Sequence, residues 1–185
     1  MAVSMVVAED NILTSMILRA ELEKNGYNVI ALARSGPEVM ESWRSTLPEV
    51  VVVDVMLPEM DGLQVTRAIM RERPTCIVII TGMGDYQQRA DDAGAMGYLE
   101  KPFGIEHLIA EVERARRRFA WFMSVRGSGS DPEAVLESWP VISGAVRRLA
   151  SRNHIEEEEA FQRLQQQALD QRLPLREVAQ RELSG

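Results

Sequence analysis

The chain is short of cysteine and of lysine. Its one thiol, Cys76, can close no intramolecular disulfide, and this fits a reducing compartment. Lysine occurs only as Lys24 and Lys101, while arginine supplies the remaining positive charge. A lysine kept at position 101 in so arginine-rich a chain marks that position for a specific task. There is no excess of positive charge either. The net charge of −7 over 185 residues excludes a surface built to bind polyanions all over. Long hydrophobic runs are missing as well. The longest are Val50–Val53 and Cys76–Ile80, whereas a membrane-spanning helix needs about 20 apolar residues. Met1–Val7 lacks a basic leader and runs straight into Glu9–Asp10, so no secretory signal is expected. A cytoplasmic protein with no membrane partner is the expectation. What remains is ordinary: 45% hydrophobic and 26% charged residues, enough for a real core in one or two domains.

Apolar runs alternate with helical periodicity through the first 120 or so residues. Strands are predicted at Ser4–Ala8, Asn28–Ala33, Val50–Asp54, Cys76–Thr81 and Gly97–Glu100. Helices are predicted at Asn11–Asn25, Gly36–Thr46, Gly62–Glu72, Asp85–Ala93 and Gly104–Phe119. The third and fourth strands show no polar alternation, as expected of strands buried on both faces. Five β-α units in a row imply an α/β fold, a parallel sheet with helices on both faces. After the Gly-Ser stretch near Arg126–Pro132 no strand pattern returns. Helices are predicted at Ser138–Arg152, Glu156–Asp170 and Pro174–Leu183, a small all-α unit. The expected division is 1–123, a linker at 124–137, and a three-helix unit at 138–185.

Ligands of open parallel sheets bind beyond the carboxyl ends of the strands. Glu9 and Asp10 follow the first strand, Asp54 ends the third, Thr81 ends the fourth and Lys101 follows the fifth. Carboxylates from separate strands repel one another unless a cation lies among them, and hard oxygen donors suit Mg²⁺. A carboxylate so placed can attack phosphorus. Phosphoryl transfer then asks mainly for positioning and charge neutralisation, roles that Lys101 and Thr81 fit. Asp54, at the end of the central strand, is the candidate nucleophile. Each residue alone reads as a cap, a turn hydroxyl or a surface charge; the set in strand order carries the chemistry. No second catalytic constellation follows residue 104, so no enzymatic output is expected.

The acidic pair Glu9-Asp10, the run Val51-Val-Val-Asp54-Val-Met-Leu-Pro58-Glu-Met-Asp-Gly62, Thr81-Gly82 and Gly97-Tyr98-Leu-Glu-Lys101-Pro102-Phe103 resemble a response-regulator receiver domain. The resemblance implies a flavodoxin-like sheet of order 2-1-3-4-5. It implies Mg²⁺ held by Asp10, Asp54 and the Met56 carbonyl, with Glu9 acting through water. It implies phosphotransfer from a sensor histidine kinase to Asp54, a switch pair of Thr81 and Tyr98, and a cis Lys101–Pro102 bond. Phosphorylation is then expected to change domain packing or oligomeric state, a homodimer among the outcomes.

The tail carries Glu157-Glu-Glu-Ala160-Phe161-Gln-Arg-Leu164-Gln-Gln-Gln-Ala168 and Leu175-Arg-Glu-Val178-Ala179. It resembles the ANTAR domain, named for the AmiR and NasR transcription antitermination regulators. This resemblance implies binding to paired RNA hairpins in leader transcripts. Where that family has Ala-Lys-Gly, the chain has Ala145-Val146-Arg147. Arg147, Arg148 and Arg152 either contact RNA phosphates and bases or form a solvated face balancing Glu156–Glu159. The alternative output is dimerisation or protein interaction alone. DNA is not the expected partner, because no helix rich in base-reading side chains stands out. Arg114–Arg118 are expected to close the preceding helix as partners of its dipole.

Overall fold

The computed structural model describes residues 2–82, 84, 86–126 and 132–185. It divides into two compact units, Met1–Trp121 and Phe122–Gly185.

The first unit alternates β1 (Ser4–Ala8), α1 (Ile12–Lys24), β2 (Asn28–Ala33), α2 (Gly36–Thr46) and β3 (Val50–Asp54). It continues with α3 (Gly62–Glu72), β4 (Cys76–Thr81), α4 (Gln87–Ala93), β5 (Gly97–Glu100) and α5 (Ile105–Arg126), whose residues from Phe122 onward belong to the second unit. The strands form one parallel sheet of order β2-β1-β3-β4-β5. Every residue of β3 and β4 is buried, which explains their unbroken apolar sequence: helices cover both faces of the sheet. Helix starts follow local chemistry. The Asn11 side chain accepts from Thr14 N–H, and Asp61 with Gln64 forms a capping box at α3. Trp43 of α2 is 1% exposed and its indole donates to the Thr75 hydroxyl at 2.9 Å. Burying that ring therefore leaves no polar atom unpaired.

The second unit contains α6 (Pro132–Asn153), α7 (Glu157–Gln171) and α8 (Leu175–Ser184). Its core gathers Trp139, Ile142, Leu149, Phe161, Leu164 and Val178. Phe122 and Trp139 meet edge to face at 5.5 Å between ring centroids. These two rings, at the borders of the expected linker, thus fill the core of this unit.

Three expectations shift. Helix α5 does not stop at Phe119 but runs to Arg126, and α6 begins at Pro132, so helix covers much of 124–137. Proline suits a first helical position, where its missing N–H is not needed. Gly127–Asp131 and Asp85, the expected first residue of α4, lie outside the described residues. Pro174 is the N-cap of α8 rather than its first helical residue. Among the described residues no helix is long and apolar enough to cross a membrane.

Candidate functional site

The strand ends bring together two carboxylates and one ammonium. Asp54 is the last residue of β3, lies in register with Ile80 of β4 and is 5% exposed. Glu9, just past β1, is 3% exposed, and its N–H donates to Ala33 O at 3.0 Å. Lys101, just past β5, is held by its own N–H donating to Thr81 O at 2.7 Å. From there its Nζ donates to Glu9 Oε2 at 2.5 Å and also to Asp54 Oδ2. The other Asp54 oxygen accepts the Met56 N–H at 2.9 Å. Burial pushes the Lys101 ammonium down, but its bonds to Asp54 and Glu9 and their charges outweigh this and raise it above an ordinary lysine. Lys101 thus stays cationic, and an Asp54 oxygen is presented at the sheet edge beside it.

The backbone around Asp54 depends on close approach. A Cβ on Gly62 would stand 2.2 Å from the Asp54 carbonyl oxygen, and one on Gly36 would stand 2.3 Å from Met60 O. Gly62 N–H donates to Val55 O at 3.0 Å, folding the start of α3 back on the end of β3. Glycine lets the chain turn this tightly behind the acidic residue.

Thr81 is fully buried at the end of β4. Asp10 is exposed, and Met56 is 56% exposed. Among the described residues no three His, Cys, Asp or Glu side chains form a ready cation cluster. Instead the Lys101 ammonium bridges Glu9 and Asp54. The donor set fits Mg²⁺ nonetheless, since two buried carboxylates that touch one ammonium are within reach of a single cation. Tyr98 is half-buried; its hydroxyl donates to Glu100 Oε1 at 3.1 Å and accepts from Tyr86 N–H at 3.3 Å. The Lys101–Pro102 bond is cis.

In the helical unit all three sequence-nominated arginines, Arg147 among them, are occupied. Arg148 donates to Leu183 O at 2.5 Å, and Arg152 pairs with Glu182 at 2.7 Å. Both tie α6 to the last turn of α8, where cations meet the negative end of the helix dipole. Glu156 stands at the N-cap position of α7 without a side-chain capping bond, and Glu157–Glu159 occupy the first turn, the favourable end for carboxylates.

Sequence reasoning missed one cluster. Arg114–Arg118 do not end a helix, because α5 continues past them. Buried Glu111 pairs with Arg114 and Arg118 and accepts the Tyr98 N–H at 3.2 Å. Arg118 donates to Met96 O at 2.8 Å. Two α5 side chains thus satisfy the free edge of β5, a strand that has a neighbour on one side only. Their 7-residue spacing, two helical turns on one face, was the available signal.

Comparisons with known proteins agree with this geometry. The model of the response regulator receiver domain matches residues 5–113, and that of the ANTAR domain matches 131–181. The transcriptional regulatory protein PdtaR of Mycobacterium tuberculosis is 33% identical over 177 residues, 95% of this chain and 86% of that protein. The response regulator MprA of Mycobacterium ulcerans is 37% identical over 121 residues, 64% of this chain and 52% of that protein. Among solved structures, the receiver domain of a modulated diguanylate cyclase from Desulfovibrio desulfuricans G20 has a TM-score of 0.60 at 27% identity. It covers 65% of this chain and 98% of that chain. The chemotaxis response regulator CheY4 of Vibrio cholerae has a TM-score of 0.57 at 25% identity, covering 62% of this chain and 99% of that chain. A receiver match over the sheet, an ANTAR match over the helices and a relative alike across both make the chain a two-component response regulator with an ANTAR domain.

Proposed function

We propose that Asp54 accepts a phosphoryl group from a sensor histidine kinase in the cytoplasm, and that this controls RNA binding by the ANTAR unit in transcription antitermination. The observation that carries the reading is the meeting of Asp54, Glu9 and Lys101 at the strand ends. In the transfer, an Asp54 carboxylate oxygen forms a bond to phosphorus as the bond to the donor's ring nitrogen breaks. The electron pair stays on that nitrogen. Lys101 keeps its charge and moves from Asp54 to a phosphoryl oxygen. Asp10, Asp54 and the Met56 carbonyl, with Glu9 acting through water, would hold Mg²⁺, which would supply further charge neutralisation at those oxygens.

Readout would start at Thr81 and Tyr98. The Thr81 hydroxyl takes a phosphoryl oxygen, and the Tyr98 ring turns inward, giving up its bonds to Glu100 and Tyr86. A kinase partner is supported by α1, which starts two residues after Asp10. Ile12, Leu13, Met16 and Ile17 on it are 53%, 68%, 59% and 53% exposed, an apolar patch next to the acidic residues. Output through leader RNA hairpins, with a homodimer forming on phosphorylation, completes the reading. A second reading, in which the helical unit serves only dimerisation or protein contact, draws on the occupied state of Arg148 and Arg152.

The experiment is a salt series of gel shifts on two-hairpin leader RNAs, using protein treated with acetyl phosphate and Mg²⁺ beside an untreated Asp54→Asn variant. Tighter, salt-sensitive binding by the treated parent is expected. Absence of binding at low salt would leave the second reading standing.

A further inference from the structure

The arginines of the ANTAR unit are unequally used. Arg148 and Arg152 are held by α8, Arg163 pairs with Glu159, and Arg181 pairs with Glu177; Arg147 is engaged as well. Arg172 and Arg176 differ. Both are exposed, and neither guanidinium makes an ion pair or hydrogen bond among the described residues. They stand four residues apart at the turn from α7 to α8. The carboxylates nearest in sequence are already answered, Asp170 by the Gln166 amide at 2.8 Å and Glu177 by Arg181 at 2.8 Å. The turn therefore offers two cations with no internal partner.

A groove of about 760 Å³ opens at the same turn. Its walls include Leu169, Leu173, Pro174 and Leu175, with Ser124, Gln165 and Arg172 as polar groups. Leu169 is 72% exposed, an apolar side chain left in water by the fold. The half-buried Gln165 amide makes no side-chain hydrogen bond among the described residues. The volume and composition suit a planar, partly apolar group with hydrogen-bonding edges. A nucleobase has two apolar faces and a polar rim, and it arrives with phosphates on either side. RNA hairpin loops present such bases unstacked, and arginine both stacks on them and pairs with their phosphates.

We infer that the groove at the α7–α8 turn receives an unpaired base of an RNA loop. Gln165 meets the base edge, and Arg172 and Arg176 meet the flanking phosphates. The α6 arginines Arg148 and Arg152 then serve the fold of the unit and not the RNA. This inference rests on the RNA-binding reading above and gives that reading a site.

Arg172 also provides a clean variant. It caps α7 with φ of +54°, in the left-handed region. Glycine is favoured at such a position, so Arg172→Gly removes the cation while easing the backbone. The test uses the full chain, with and without acetyl phosphate. The probe is a pool of hairpin RNAs with randomised loops carrying thiouridine for photocrosslinking. Crosslinks are expected in the 165–175 segment. Arg172→Gly should bind the pool about tenfold more weakly, as expected for loss of one charge-assisted contact to phosphate. Its salt slope should fall by about 0.7, the value for one phosphate contact on a single strand. Its melting temperature should hold or rise, and its oligomeric state should not change. Crosslinks confined to 147–152, or parental affinity in Arg172→Gly, would overturn the inference while leaving RNA binding intact. A changed oligomeric state in Arg172→Gly would reassign the groove to protein contact. Failure of the parent to bind any member of the pool would instead remove the RNA-binding reading itself.

Discussion

Replacing Lys101 by methionine removes the one cation between two buried carboxylates. Glu9 and Asp54 are 3% and 5% exposed, and both accept a hydrogen bond from the same Nζ. Breaking a buried ion pair by deleting one partner costs about 3–5 kcal/mol, because the remaining charge stays buried and unpaired. The Lys101 side chain keeps 25% of its surface exposed, so water offsets part of the loss and the low end, about 3 kcal/mol, applies. For a domain of this size that corresponds to a melting temperature lower by roughly 10 °C. The geometry adds a second, more specific expectation. With the ammonium gone, a divalent cation is the natural replacement between these oxygens, so Mg²⁺ should restore much of the loss in Lys101→Met. An equal ionic strength of monovalent salt should not. Adding Glu9→Gln to Lys101→Met removes one of the two stranded charges and should recover stability without Mg²⁺. Calorimetric melting of the parent, Lys101→Met and the double variant, each with Mg²⁺ or chelator, reads all of this. A Lys101→Met protein that melts with the parent, or whose deficit ignores Mg²⁺, would refute the reasoning.

Three further outcomes follow from other contacts. Glu111→Gln should cost about 2–3 kcal/mol, because a buried charged acceptor of the Tyr98 N–H and the partner of Arg118 is lost; amide exchange at Tyr98 should speed up more than at strand-centre residues. Trp139→Ala should cost about 3–5 kcal/mol, melting the helical unit first while the sheet keeps its transition, a split visible in calorimetry. Tyr27 should titrate late: burial first, then the hydrogen bond to Glu113, raise it from 10.0 to about 12. With the folded value above the unfolded one, its contribution is intact below pH 10 and is lost as pH rises from about 10 through about 12. A tyrosinate absorbance titration of the parent against Tyr27→Phe should show the missing late step.

The strand ends were legible because strand order and topology are coupled. Once five β-α units are recognised, Asp54 and Lys101 must fall at one edge although 47 positions separate them. The apolar runs of β3 and β4 announced burial on both faces without help from structure. Helix ends were harder. The apolar spacing of α5 continues through Phe122, and no breaker stands at Phe119, yet the Gly-Ser run beyond drew the expected stop too early. Side-chain pairings were hardest of all. Nothing in the pattern of Arg148 announces a carbonyl 35 residues away at Leu183. The same holds for Glu111 and Arg118, whose partners are backbone atoms of an edge strand. Charge can be read from a sequence, but its answer in space depends on which helix ends where.

The account rests on Asp54 as the phosphoacceptor, and locating the acyl phosphate tests it most directly. Protein treated with acetyl phosphate and Mg²⁺ would be trapped by borohydride reduction, digested and sequenced by mass spectrometry. The predicted result is reduction of the 54 side chain alone, abolished in Asp54→Asn and sharply lowered in Lys101→Met. Labelling at another carboxylate, or equal labelling of Asp54→Asn, would contradict it.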